Sequence, residues 1–197
     1  MQIQQKKYDT IEWGPEWEQA FGNPERTGVW FIYGGSSNGK STFVMLLMKE
    51  LARRRKVMMN ALEEGNRLTL QKLIERVDLT EVNDNVLFVA EPMTDLDLRL
   101  KKARAPQVVV IDSFQYTRLS FQAYLDFKAA HSDKLLIFTS QADGRNPLGR
   151  TAVSVMYDAD MKFHVHGFRA ISKGRNNPGG YFTIWPEKAR EFWGDND

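Results

Sequence analysis

Residues 29–41 read Val29-Trp30-Phe31-Ile32-Tyr33-Gly34-Gly35-Ser36-Ser37-Asn38-Gly39-Lys40-Ser41. The first five are a continuous apolar and aromatic run, the pattern of a strand buried on both faces. Two glycines end it at once. Beyond them Val44, Leu47, Met48 and Leu51 recur at helical spacing, which predicts a helix over Lys40–Arg54. The turn Gly34–Ser41 matches G-x-x-x-x-G-K-[ST] without a mismatch, between the strand and the helix that the motif requires. Its glycines let the backbone curl until successive N–H groups point inward at phosphate oxygens. The helix N-terminus adds partial positive charge. Gly34, Gly35, Ser36, Ser37, Asn38, Gly39, Lys40, Ser41 and Thr42 are therefore the expected nucleotide-binding residues. Lys40 is expected to reach the terminal phosphates of ATP and Ser41 to ligate Mg²⁺.

Outward from this unit, strands and helices alternate. Strands are expected over Val57–Leu62, Val86–Ala90, Val108–Ile111 and Leu135–Phe138. Helices are expected over Leu68–Val77, Asp95–Ala103 and Phe121–Ala130. Such alternation argues for an α/β fold, a mainly parallel sheet flanked by helices with right-handed crossovers. After residue 139 the reading is strands alone, Met161–His166, Phe168–Ser172 and Tyr181–Trp185, expected as a C-terminal antiparallel extension at one edge. Residues 1–28 read as an N-terminal lead-in carrying Trp13, Trp17 and Phe21, and 29–193 as one ATPase domain. Gly194–Asp197 reads as a frayed tail.

The chain has 197 residues, no cysteine and a formal net charge of +2. Disulfides and thiolate metal sites are excluded. Near-neutral charge means that any nucleic-acid surface must be local. No apolar stretch approaches the roughly 20 residues of a membrane span, and Met1–Lys7 lacks the apolar run of a signal peptide. A cytoplasmic protein without membrane contact is expected.

Mg²⁺ on Ser41 needs a second protein anchor. Asp112 ends the most apolar strand, Val108–Ile111, and is the expected second metal residue. Hydrolysis needs a group that orients water in line with the γ-phosphate. Glu63 and Glu64 follow the second strand, and either can be the base or orient the other; they also read as a solvated acidic turn. Gln141, at the end of the Leu135–Ser140 strand, can bond both water and γ-phosphate and so report on the terminal phosphate.

These residues resemble a family, the RecA-like P-loop ATPases, and most closely the ATPase core of bacterial RadA, with DnaB and KaiC as cousins. The resemblance runs from about residue 28 to 185. It is carried by Gly34–Ser41, the Glu63-Glu64 pair, Ile111-Asp112-Ser113-Phe114-Gln115 where RadA has IDSIQ, and Lys173-Gly174-Arg175-Asn176-Asn177 where RadA has KNRFG. The four-Cys zinc finger of RadA is impossible here, and no segment corresponds to its Lon-like domain. The resemblance therefore implies a minimal core, of the kind a phage or mobile element carries. It implies a homo-oligomer, often a ring, in which Lys173 and Arg175 act in trans on a neighbour's γ-phosphate. It also implies work in DNA replication, recombination or repair, with single-stranded DNA and a replication or recombination protein as partners.

The segment Ala142–Arg150 falls where RecA-like proteins place a mobile DNA-binding loop. Arg145 and Arg150 there, and Arg118 in Ser113–Leu119, are the expected phosphate contacts, although both segments also read as ordinary surface loops. Arg53-Arg54-Arg55-Lys56 reads as a helix C-terminus opposing the dipole. His164 and His166, near Asp158 and Asp160, read as a solvated edge strand, with a metal site the alternative. The tryptophans read as packing residues, with Trp13 or Trp17 the candidates to cover a base. Two rival functions share the phosphate loop: a small-molecule or nucleotide kinase, and a nucleotide-switched adaptor or loader with little turnover.

Overall fold

The structure is a computed structural model that describes residues 8–63, 65, 68–174 and 179–194. Its strands are β1 (Gly28–Gly34), β2 (Val57–Ala61), β3 (Val86–Val89), β4 (Val108–Asp112), β5 (Leu135–Asp143), β6 (Asn146–Pro147), β7 (Met161–His166), β8 (Arg169–Gly174) and β9 (Tyr181–Thr183). The helices are α1 (Pro15–Phe21), α2 (Lys40–Ala52), α3 (Leu68–Val77), α4 (Met93–Leu100), α5 (Phe114–Thr117), α6 (Phe121–Ala130), α7 (Arg150–Asp158) and α8 (Pro186–Trp193). Among the described residues the strands form one sheet in the order β3-β2-β4-β5-β1-β7-β8-β9, with β6 beside β5.

The apolar runs explain the layering. In a strand, neighbouring side chains point to opposite faces, so a run apolar at every position must be covered twice. Trp30 and Ile32 of β1, Val108 and Val110 of β4, and Leu135 and Ile137 of β5 face α1, α2 and α3. Val29, Phe31, Val109, Ile111, Leu136 and Phe138 face α4, α6 and α7. The helices present matching stripes: Leu70, Leu73 and Val77 of α3, and Leu96 and Leu100 of α4, are buried. Ser120 caps α6 by accepting from the Ala123 N–H at 3.1 Å.

The strands β3, β2, β4, β5, β1 and β7 are mutually parallel, and β8 and β9 add the antiparallel extension. Two expectations change. Met161–His166 belongs to the parallel sheet, paired with β1 through Trp30↔Met161 to Gly34↔Val165, so it is not an edge strand. A crossover helix, α7, makes that parallel pairing possible. Its β-branched residues Thr151, Val153 and Val155 hid a helical stripe of Ala152, Val155 and Met156. The expected mobile loop at Ala142–Arg150 is instead a tight hairpin, Ala142↔Pro147 and Asp143↔Asn146, turned at Gly144 with φ 60°, followed directly by α7.

The segment before β1 is built into the core. Trp13, Trp17 and Phe21 pack with Trp30, Phe43, Phe163 and Phe182; Trp17 stacks on Phe182 at 4.3 Å between centroids. At the start of β1, Asp160 accepts from the Val29 N–H at 2.8 Å and donates its own N–H to the Val29 carbonyl. No helix of the described residues is long and apolar enough to cross a membrane.

Candidate functional site

All the parallel strands point their carboxyl ends the same way, and ligands of such sheets sit beyond those ends. A cleft of about 520 Å³ opens there. Its floor is the turn after β1. Ser37 (φ 62°) and Gly39 (φ 93°) both take the left-handed conformation, which rotates successive peptide N–H groups to one side. Asn38 holds the curl from both directions. Its amide donates to the Ser36 carbonyl at 2.9 Å, and its Oδ1 accepts from the Gly167 N–H at 2.9 Å. Gly34 is sterically required, since a Cβ there would lie 2.3 Å from the Val165 carbonyl oxygen across the β1–β7 pair. Lys40, Ser41 and Thr42 open α2, whose N-terminus points into the cleft.

The carboxyl ends of the neighbouring strands supply the remaining groups. Asp112 ends β4 and lines the cleft, its Oδ1 receiving the Thr139 hydroxyl from β5. The peptide that follows it, Asp112–Ser113, is cis. Glu63 lies just past β2, held by its N–H donating to the Asp112 carbonyl at 3.0 Å. Gln141 on β5 donates its amide to Glu63 Oε1 at 3.0 Å. The structure thus brings Lys40, Ser41, Asp112, Glu63 and Gln141 to one cleft from four separate segments. Glu64 lies outside the described residues.

The donor set suits Mg²⁺. A serine hydroxyl and a carboxylate that line one cleft are hard oxygen ligands, and Mg²⁺ takes few protein ligands, completing its shell with water and phosphate oxygens. Among the described residues there is no cluster of three or more His, Asp or Glu able to cage a metal. The Asp residues beside His164 and His166 are engaged elsewhere: Asp158 accepts from the Tyr124 hydroxyl at 2.6 Å and from Lys128 at 2.7 Å, and Asp160 clasps β1. Burial, followed by the Asp158 hydrogen bond, pushes the Tyr124 phenol up, so it stays a donor.

Four cleft residues escaped the sequence reading. Phe168, Ile184 and Trp185 form an apolar wall, and Arg76 of α3 adds an exposed cation. Phe168 and Ile184 lie against Gly39, where a Cβ would meet them at 3.3 and 3.4 Å. Trp185 is 43% exposed, a ring open to stacking. The candidates Trp13 and Trp17 are instead 8% and 7% exposed inside the core. Only the Trp-Pro pair at Trp185-Pro186, a helix-start signal, marked this stretch.

The other expected contacts lie outside the cleft lining. Arg145 forms the hairpin turn, Arg150 opens α7 and Arg118 follows α5, all three exposed. Gln115 ties these segments to the strand end, its amide donating to Ser140 Oγ at 2.7 Å and to the Leu148 carbonyl at 2.9 Å. Lys173 is exposed on β8, opposite Lys162; Arg175 lies outside the described residues. The basic run after α2 is bound up structurally: Arg54 pairs with Glu12 at 2.8 Å, and Arg55 donates to the Arg26 carbonyl at 3.0 Å.

No protein-family model matches the chain, and no curated protein matches it either. Solved structures do. A KaiC-like protein from the hyperthermophilic archaeon Pyrococcus horikoshii superposes with TM-score 0.63 at 17% identity, covering 87% of this chain and 91% of that one. The flagellar accessory protein FlaH from Methanocaldococcus jannaschii gives 0.61 at 15% identity, covering 86% and 88%. A third structure, an ATPase domain, gives 0.60 at 19% identity, covering 79% and 80%. These likenesses show the fold, an α/β fold with a mostly parallel sheet and C-terminal antiparallel strands, which matches RecA-like ATPase structures.

Proposed function

We propose that this protein is an Mg²⁺-dependent ATPase, RadA-like in its core, that works with single-stranded DNA in replication, recombination or repair. The observation that carries the reading is the Gln141–Glu63 hydrogen bond across a cleft floored by Gly34–Thr42 and walled by Asp112. It sets a carboxylate and an amide side by side in the cleft that the phosphate loop floors.

Backbone N–H groups of Gly35–Ser41 grip the phosphates, Lys40 neutralises the terminal ones, and Arg76 adds charge from α3. The base stacks against Trp185. Ser41 and Asp112 would hold Mg²⁺, which when bound neutralises charge on the leaving phosphate. Thr139 orients the Asp112 carboxylate. Glu63, with Glu64 the alternative, accepts a proton from the attacking water. Gln141 releases Glu63 to bond that water and the γ-phosphate, so the terminal phosphate is reported to β5 and its hairpin. That hairpin carries Arg145, and Gln115 links it to the segment carrying Arg118, which gives DNA a route to the chemistry. By the resemblance to RadA, Lys173, which lies outside the cleft of its own chain, acts together with Arg175 on the γ-phosphate of a neighbouring copy in a homo-oligomer.

Replacing Lys40 with Ala should lower ATP turnover at least about 100-fold with an unchanged melting temperature. Unchanged turnover would remove the assignment. Product analysis separates the rivals: phosphate released to water marks the ATPase, phosphate on an acceptor marks a kinase, and tight ATP binding without turnover marks an adaptor. In the same assay single-stranded DNA should stimulate hydrolysis, and Arg145→Ala should blunt that response.

A further inference from the structure

The segment β7–β9 has two unlike faces. One sinks Phe163, Val165, Ala170 and Phe182 into the aromatic core. The other is fixed by the register Lys162↔Lys173, His164↔Ile171 and His166↔Arg169, continued by Arg169↔Thr183 and Ile171↔Tyr181. These pairs place Lys162, His164, His166, Arg169, Ile171, Lys173, Tyr181 and Thr183 on one surface. None of the eight is acidic, and five carry a cation or an imidazole. The helix α7 packs over β1 and α6, and all eight side chains stay half-exposed or exposed.

Planar groups run across this surface in series. Tyr33 stacks on His164 at 4.9 Å and 18°, and His164 on His166 at 5.6 Å and 6°. His166 meets the edges of Phe192 and Trp193 at 5.0 and 5.6 Å. The Arg169 guanidinium lies 4.5 Å over Tyr181 and 5.4 Å from Trp193. Tyr157, Phe192 and Trp193 are 69%, 52% and 39% exposed at the margins. Rings interleaved with cations on an open strip suit unpaired bases and their phosphates. Five cations or imidazoles with no acidic side chain among the eight complement a polyanion.

We infer that the open face of β7–β9 is a platform for single-stranded nucleic acid, with bases stacking on the exposed rings Tyr157, Tyr181, Phe192 and Trp193 that border the packed Tyr33–His164–His166 series and phosphates pairing with Lys162 and Arg169. This takes its partner class from the reading above but places it on a surface apart from Arg118 and Arg150, and it needs no hydrolysis. The turn Gly167-Phe168 joins the platform to the nucleotide cleft. The Gly167 N–H binds Asn38 of the phosphate loop, its carbonyl accepts from Trp193 Nε1 at 2.9 Å, and Phe168 lines the cleft. This turn is the route by which the two sites would be coupled, and a change that nucleotide makes in oligonucleotide affinity is matched by an equal change in the reverse direction.

The test is fluorescence anisotropy of a labelled oligothymidylate of about twenty nucleotides, with ATP affinity titrated in parallel. The double variant Lys162→Glu, Tyr181→Ala should bind the oligonucleotide roughly tenfold more weakly with a shallower salt dependence, and bind ATP as before. Thr183→Lys, which adds a cation to the same face, should bind it about threefold more tightly, an outcome that misfolding does not produce. Equal oligonucleotide affinity in all three proteins overturns the platform. Loss confined to Arg118→Ala or Arg150→Ala also overturns it while leaving the DNA reading intact; no binding by the unaltered protein at low salt removes both. A double variant that changes oligomeric mass and not oligonucleotide affinity makes the face a contact between copies.

Discussion

The nucleotide cleft and the open face of β7–β9 share the Gly167-Phe168 turn and are built on opposite plans. The cleft grips with backbone. Its floor is the stretch Gly34–Thr42, whose side chains are mostly small, and its polar groups converge from strand ends. The open face grips with side chains. Its rings and cations come from β1, β7, β8, β9 and α8, elements far apart in the chain. A backbone site demands particular conformations and so writes itself as a contiguous pattern of glycines. A side-chain site demands only a topology that brings scattered residues into register.

Five substitutions test whether the two regions are separable. The largest effect is expected from Glu63→Gln, which should lower ATP turnover about 100-fold while ATP binding persists. If Glu64→Gln alone does this, the base is Glu64 and Glu63 orients it. Next comes Gly34→Ala at the seam between β1 and β7, where the new methyl group meets the Val165 carbonyl. Overpacking of this kind costs about 1–3 kcal/mol, so the melting temperature should fall by roughly 5 °C, and both ATP and oligonucleotide binding should weaken. Trp185→Ala should raise KM for ATP about fivefold with kcat unchanged, and leave oligonucleotide affinity alone. The smallest effect concerns pH. Burial, then the nearby His166, Lys173 and Arg145 charges, holds the His164 imidazole below its usual value of 6.5. The unfolded chain thus binds the extra proton first, so stability present above pH 6.5 is lost as pH falls through the lower folded value. Melting temperature should decline from pH 7.5 to 5.5, and less so in His164→Gln.

The difference between the two plans accounts for what the sequence disclosed. Gly34–Ser41 was readable because every residue of the motif is local. Asp112 and Gln141 were readable because each ends an apolar run, and parallel strands put such ends together. Trp185, Phe168 and Arg76 were not, because their approach to the cleft depends on how the last strands and α3 return to it. The β-branched residues of α7 masked its helical stripe, and that omission alone misplaced β7 from the sheet interior to its edge. Pro15 and Pro186, each at the first turn of a helix, were available signals for α1 and α8. The segment around Arg145 reads as a loop from its Gly and Pro content, and in the structure those residues serve a hairpin turn and its pairing with β5.

The placement of the five tryptophans has an optical consequence. Trp13, Trp17 and Trp30 are enclosed in hydrocarbon, whereas Trp185 stands in the cleft and Trp193 on the open face. Emission from the enclosed three is a constant background. Quenching at Trp185 reports what enters the cleft and quenching at Trp193 what settles on the sheet, so two Trp→Phe variants resolve both events in one unlabelled sample.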